Sequence, residues 1–181
     1  MLKKLFKRDK KTPEPVALQP SEDKVSVLFV CMANICRSPT AQGVFTRLVE
    51  EAGLNDEIEI DSAGTISQYA GKPPDRRAQA AASERGYDLS TFRSRLVSKN
   101  DCSGFDYIIV MDETNLLDVR SICPKSCWRK IHLFMDFAPG QAGQDVPDPF
   151  AGDADDFDLV LDLAERGAAG LLAHIRENYE L

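Results

Sequence analysis

The run Val25-Ser26-Val27-Leu28-Phe29-Val30 ends on Cys31, five residues follow, and then Arg37, Ser38 and Pro39 open a helix-prone segment. A continuous apolar run of this length reads as a strand buried on both faces, which needs helices above and below it. The order strand, loop, helix also fixes a chemical possibility. A loop running into a helix N-terminus turns unpaired backbone N–H groups inward, and the helix dipole adds partial positive charge, so a phosphate dianion is stabilised there. Met32, Ala33, Asn34, Ile35 and Cys36 form the wall of such a cradle, and Arg37 can add a planar fork to two phosphate oxygens. Cys31 sits in its floor. A thiol at a helix N-terminus beside an arginine gives up its proton more readily, which makes it a nucleophile. Ser38 reads as the N-cap with Pro39 at the first helical position, and its hydroxyl is placed to donate to the sulfur. Asn34 suits left-handed backbone in a tightly curled loop.

The remaining punctuation extends the strand–helix alternation. A helix from Pro39 places Val44, Leu48 and Ala52 on one face and stops near Gly53; Glu57 to Asp61 alternates as a strand. Asp75 caps a helix to about Arg85, ended by Gly86. Ser94 to Val97 reads as a short strand, and Ser98-Lys99-Asn100-Asp101 as a capping box. Tyr107 to Met111 and Ile131 to Phe134 are further strands, with a helix from Glu113 to about Ile122 between them. A last helix spans roughly Asp155 to Asn178, weakened locally by Gly167 and Gly170. The expected fold is α/β, a three-layer sandwich with a four-stranded parallel sheet flanked by helices. In such a sheet the ligand sits beyond the carboxyl ends of the strands, where Cys31, Asp112 and the loop after Phe134 should converge.

That loop holds Val146-Pro147-Asp148-Pro149-Phe150. A leaving oxygen needs a proton as its P–O bond breaks, and Asp148 between stiffening prolines is the leading acid, with Phe150 as a wall for an aromatic group. Alone, an Asp-Pro pair is a turn; the cysteine loop is what gives it a chemical reading. Asp112 is a supporting candidate whose simplest role is to cap the following helix.

The stretch from Val30 to Pro39 resembles the phosphate-binding loop of the low-molecular-weight protein tyrosine phosphatases. Asp61-Ser62-Ala63-Gly64-Thr65 resembles that family's second strand and turn, and Asp75-Arg76-Arg77-Ala78 the start of its second helix. Phe105 to Asp112 resembles its fourth strand, and Asp148-Pro149-Phe150 its general-acid loop. The likeness runs from about Val25 to the C-terminus. It implies hydrolysis of phosphotyrosine on proteins through a phosphocysteine intermediate, without metal or organic cofactor, and a protective disulfide between Cys31 and Cys36 under oxidation. Its expected partners are phosphotyrosine proteins, including a tyrosine kinase. Three positions depart from the family pattern: Ala33 replaces a usual glycine, Gln68 stands where an aromatic wall residue is common, with Tyr69 adjacent, and Ala151 follows Phe150. Two other readings stay open. A thiol-coupled arsenate reductase shares the loop but needs resolving cysteines after the fourth strand, where Met111-Asp112-Glu113-Thr114-Asn115 stands; Cys102 precedes that strand. A non-catalytic phosphotyrosine-binding module would not need both Cys31 and Asp148.

With 181 residues, 43% of them hydrophobic, the chain buries one core. The division is a tail and linker over 1–24 and a catalytic domain over 25–181. Residues 1–12 carry +5, so the rest carries −12 of the formal −7, a balance that argues against nucleic-acid binding. Leu2, Leu5 and Phe6 among the lysines of residues 1–11 fit an anionic membrane surface or acidic partner as well as a merely solubilising tail. Five cysteines without framework spacing, and no apolar signal segment, point to a reducing, cytoplasmic compartment. Cys123 and Cys127, with His132, faintly suggest ligand spacing, but incidental thiols are the better reading. His132 and His174 read as surface or cap residues.

Overall fold

The computed structural model describes residues 19–21 and 23–181. The basic tail, and with it the expected contact of residues 1–11 with an anionic surface, lies outside the described residues. No described helix is long and apolar enough to cross a membrane.

The apolar run becomes β1 (Val25–Cys31), buried along its whole length. Its pleat divides two cores, as the two-residue period requires. Val25, Val27, Phe29 and Cys31 face one; Leu28 and Val30 face the other. On its flanks β1 pairs in parallel with β2 (Ile58–Gly64) and β3 (Tyr107–Val110), and β3 pairs with β4 (Ile131–Leu133). The order is β2-β1-β3-β4. The connections therefore leave β1 in opposite directions, and its carboxyl end lies at the switch point where open α/β sheets take ligands.

The first core is closed by α1 (Arg37–Glu51) and α5 (Ala154–Tyr179), which contribute Val44, Phe45 and Val49 and then Val160, Leu161, Leu171 and Ile175. Phe29 makes edge contacts there with Phe45 and Phe134, at 5.6 and 5.4 Å between centroids. Gly167 is required by this packing, because a Cβ there would meet the Phe134 ring at 2.8 Å. The second core takes Cys102 and Phe105 from α3 (Lys99–Gly104) and the turn after it, and Val119 from α4 (Glu113–Ile122). With α2 (Arg76–Glu84) and two 3-10 turns, Lys125–Lys130 and Phe134–Phe137, this completes the expected three-layer sandwich. Asp75, Ser98, Asp112 and Asp153 cap α2, α3, α4 and α5, each contact worth about 1 kcal/mol.

Several local expectations are corrected. Helix α1 starts at Arg37, not Pro39, and its N-cap is Cys36, which makes no side-chain cap; the Ser38 hydroxyl is turned instead toward Cys31. Ser94 to Val97 does not form a strand. Its backbone bonds are split between Lys72 and Gly64, leaving an isolated bridge from Leu96 to Gly64. Tyr107–Val110 is accordingly the third strand of the chain, not the fourth. His174 is exposed as expected, whereas His132 is half-buried, and both contact Tyr107 and Phe137 in an aromatic cluster. Burial and the neighbouring His174 lower the His132 pKa.

The cysteine reading is also corrected. Cys102 of α3 and Cys123 at the C-cap of α4 form a disulfide, while Cys31, Cys36 and Cys127 are free. The two sulfurs meet because both helices pack on the same face of β3, which residue spacing does not reveal. Closing a loop with a sequence separation of 21 contributes roughly 3 kcal/mol by restricting the unfolded chain. The Cys102→Ala/Cys123→Ala protein should melt about 6–12 °C lower than the oxidised wild type, read by calorimetry after mass spectrometry of the bridged peptide. Equal melting temperatures would show that the bridge adds no stability.

Candidate active site

The loop between β1 and α1 is held by its carbonyl groups. Those of Cys31, Met32 and Ile35 accept from the N–H groups of Thr65, Ile66 and Asp75 at 3.0, 3.0 and 2.8 Å. The Ala33 carbonyl accepts from Ser94 Oγ at 2.9 Å, and that of Cys36 from Thr40 Oγ1 at 2.8 Å. In a trans peptide the C=O and the following N–H point in opposite directions. Anchoring these carbonyls outward therefore turns the N–H groups of Met32, Ala33, Asn34, Cys36 and Arg37 toward the loop's centre. Only Asn34 needs left-handed backbone, at φ 54°, a conformation asparagine tolerates. Ala33 has no positive φ, so its methyl group leaves the loop unstrained.

Asn34 is buried beneath the loop, where Nδ2 donates to Ser38 Oγ at 2.9 Å and Ser62 Oγ at 2.8 Å and Oδ1 accepts from the Arg95 N–H at 3.0 Å. Because Ser38 Oγ already accepts from Asn34, its single proton is available to Cys31 Sγ, 3.1 Å away, or to the Ala63 carbonyl at 3.3 Å. Arg95, 5% exposed, is itself fixed by Asp61 and Asp101. Burial would lower the Arg95 pKa, but the two carboxylates outweigh it and raise it.

Arg37, 2% exposed, is the first residue of α1. Its Nη1 donates to Asp112 Oδ2 and, at 3.1 Å, to the Val146 carbonyl, and its Nη2 donates to Asp148 Oδ2 at 2.9 Å. Burial opposes its charge, yet Cys31, Asp112 and Asp148 together raise its pKa. A guanidinium has five N–H donors. Among the described residues the Nε–H and one Nη2–H have no acceptor, and these two form the side-on fork that fits two phosphate oxygens. Asp112 caps α4 through the Asn115 N–H as expected, and it also holds Arg37, a contact the sequence did not reveal.

The loop that carries Asp148 hangs from the end of β3. Val146 N–H donates to the Met111 carbonyl at 2.8 Å, and Asp145 accepts from the Glu113 N–H at 3.1 Å. Two residues beyond Val146, Asp148 keeps a 43% exposed side chain. Its Oδ1 accepts from the Phe150 N–H at 3.1 Å.

Above the loop a cavity of about 240 Å³ is lined by Cys31, Met32, Ala33, Ile35, Cys36 and Arg37 from the cradle, with Asp148 at its mouth; Ile66, Gln68, Tyr69 and Phe150 form its rim. Tyr69 and Phe150 stand edge to face, 6.4 Å between centroids. The predicted wall residues thus meet, while Asn34, Ser38 and Asp112 support the site from behind it. Cys36 is a buried thiol whose pKa is pushed far up by burial and by Asp75. Sequence reasoning missed Ile66, Ser62, Arg95 and the role of Gly64. For Gly64 the signal was a glycine directly after a strand core: a Cβ there would lie 2.8 Å from Met32 O, 3.0 Å from Ala33 C and 3.1 Å from Asn34 N.

Those neighbours are backbone and cannot turn aside, so Gly64→Ala should push the loop out of shape. The expected result is at least a tenfold weaker inhibition constant for inorganic phosphate, with about 1–3 kcal/mol lost in stability. Unchanged phosphate affinity in a folded Gly64→Ala protein would contradict this account of the loop.

The chain is similar in sequence and fold to known proteins. The profile of the family described as low molecular weight phosphotyrosine protein phosphatase matches residues 26–181. A low molecular weight protein-tyrosine-phosphatase of Streptomyces coelicolor is 38% identical over 157 residues, spanning 85% of this chain and 95% of that protein. The human low molecular weight phosphotyrosine protein phosphatase is 41% identical over 137 residues, 75% of this chain and 85% of its own. Among solved structures, a protein tyrosine phosphatase from Entamoeba histolytica superposes with a TM-score of 0.83 at 34% identity, covering 86% of this chain and 99% of that one. The fold, the cradle and the extent of these matches make this chain a member of the low-molecular-weight protein tyrosine phosphatase family.

Proposed function

We propose that the phosphotyrosine hydrolysis of this family runs here on Cys31, Arg37 and Asp148, within a catalytic unit of residues 25–181. The observation that carries the assignment is the inward turn of the loop's N–H groups around Cys31 Sγ, with the Ser38 hydroxyl 3.1 Å from the sulfur. In the first step Cys31 Sγ attacks phosphorus in line. The S–P bond forms as the P–O bond breaks, and Asp148 gives its proton to the departing phenolic oxygen. The loop amides and the free edge of Arg37 hold the equatorial oxygens, where charge must be balanced. In the second step the Asp148 carboxylate takes a proton from water as that water attacks phosphorus; phosphate leaves and the sulfur regains its electron pair. Every charge in both steps meets a protein group, so neither a metal nor an organic cofactor is called for.

Tyrosine-phosphorylated proteins are the substrates, and the exposed apolar rim supports an aryl group as the part recognised first. A tyrosine kinase among these substrates, and a cytoplasmic location, are part of this proposal. Cysteine usage no longer supports that location, given the Cys102–Cys123 bridge. The reductase reading loses its last support, because Cys102 is paired with Cys123 in the second core and no cysteine lies between Met111 and Asn115.

With a chelator present, Cys31→Ser should abolish hydrolysis of aryl phosphates while retaining binding of inorganic phosphate. Substantial turnover by Cys31→Ser would sink the nucleophile assignment. For Asp148→Ala, kcat/KM should fall about 100-fold or more on phenyl phosphate and far less on esters of acidic phenols. A uniform loss across leaving groups would remove Asp148 as the acid.

A further inference from the structure

Asp148 is fixed by two contacts, one to Arg37 and one to the Phe150 N–H. The first weakens when Asp148 carries the proton it is to give, because a neutral carboxyl group accepts from a guanidinium less strongly than a carboxylate does. The second survives only if Phe150 itself is held. The residue that holds it lies on α2.

Arg77 is the second residue of that helix. One edge of its guanidinium is gripped by Asp75, with Nε to Oδ1 at 3.1 Å and Nη2 to Oδ2 at 2.9 Å. From there Nη2 also donates to the Phe150 carbonyl at 3.1 Å, and Nη1 to the Gly152 carbonyl at 3.3 Å. Its flat face lies over two aromatic rings, Phe157 at 4.7 Å and Phe150 at 5.7 Å from the centroids. Such stacking adds to the polar contacts and fixes the plane of the group. Asp75, in turn, is tied to the cradle through its N–H on the Ile35 carbonyl at 2.8 Å. A continuous path thus runs from the phosphate loop through Asp75 and Arg77 to Phe150, and through the Phe150 N–H to Asp148.

We propose that Arg77 is a positioning residue for proton transfer, clamping Phe150 and Gly152 so that the Asp148 carboxyl stays at the pocket mouth when, protonated, it is held less tightly by Arg37. This rests on Asp148 being the acid. Arg77 touches no reacting atom; it acts through the acid loop. Lysine could not replace it fully, since an ammonium cannot grip a carboxylate on two atoms, donate to two carbonyls and stack on a ring in one geometry. The neighbouring Arg76 has none of these contacts among the described residues and serves as the charge control.

The test is kcat/KM, which reports P–O cleavage, for aryl phosphates graded from acidic nitrophenols to phenol. It compares wild type, Arg77→Ala, Arg77→Lys, Arg76→Ala, Asp148→Ala and the Arg77→Ala/Asp148→Ala double variant. Arg77→Ala should lose at least about tenfold on phenyl phosphate and no more than about twofold on the most activated ester, with Arg77→Lys between it and wild type. Its inhibition constant for inorganic phosphate should stay within about twofold of wild type, since the cradle is untouched. The double variant should be no worse than Asp148→Ala, because both changes remove one function. Arg76→Ala should match wild type. A loss in Arg77→Ala that is equal for all leaving groups, or that multiplies with Asp148→Ala, would overturn the clamp while leaving the acid assignment intact. A flat profile for Asp148→Ala would overturn both. If Arg77→Ala does not fold, Arg77→Lys is read against the same criteria.

Discussion

The cradle works only if its peptide carbonyls are kept out of its centre. A loop of five residues with N–H groups converging on one point stores mutual repulsion of like dipole ends and invites collapse toward intramolecular bonds. Here each such peptide is anchored from outside, by Thr65 and Ile66 beyond β2, by Ser94, by Asp75 and by Thr40. None of these anchors is near the loop in sequence except Thr40. The sheet order places β2 beside β1 and so delivers Thr65 and Ile66; α2 delivers Asp75. Much of the first half of the fold therefore serves as a frame that holds one loop in an orientation it would not keep alone.

Charge imposes the second constraint. Arg37 and Arg95 are both almost fully buried, and a buried cation is tolerated only with carboxylates in contact. Arg95 is neutralised permanently by Asp61 and Asp101 and spends its backbone N–H on Asn34. Arg37 is different. One of its two carboxylates, Asp112, is fixed by capping α4, whereas the other, Asp148, sits on an irregular loop and is nearly half exposed. The Nε–H and the second Nη2–H remain for a ligand, so an anion can reach the guanidinium without displacing either carboxylate. In the proposed mechanism the exposed carboxyl group is the one that gives and takes a proton, while Asp112 keeps the arginine paired.

The sequence was most legible where one residue type has one strong reason to be present. β1, the capping box at Ser98 and the cap at Asp112 follow from apolar runs and cap chemistry, and the expected convergence of Cys31, Arg37 and Asp148 appears as a shared pocket. Legibility failed where a polar side chain served a distant partner. Ser38 has the composition of an N-cap, but the helix began two residues earlier because its hydroxyl is engaged by Asn34 and faces Cys31. Ser94 to Val97 alternates like a strand, yet its backbone is drawn to Lys72 and Gly64 while Arg95 turns inward to two acids. Cys102 and Cys123 meet across β3, a relation no spacing rule contains. The left-handed backbone expected at Asn34 is present, and Ala33, where glycine is usual in the family, needs no positive φ.

Floor and rim of the pocket obey different rules as a result. The floor recognises phosphate with backbone amides and a buried guanidinium, so its composition can vary only where a side chain neither sets a φ angle nor meets a backbone atom. The rim is made of side chains with their outer faces in solvent: Met32 is 41% and Phe150 47% exposed. Replacing Gln68 or Tyr69 changes what lies against the substrate's ring without moving a cradle amide. Phe150 is the exception among them. Its ring is wall, its N–H holds the acid and its carbonyl is held by Arg77, so a change of side chain there alters only the wall as long as the backbone keeps those two bonds. Substrate preference can thus diverge at the rim by single substitutions while the chemistry beneath stays fixed by main-chain geometry.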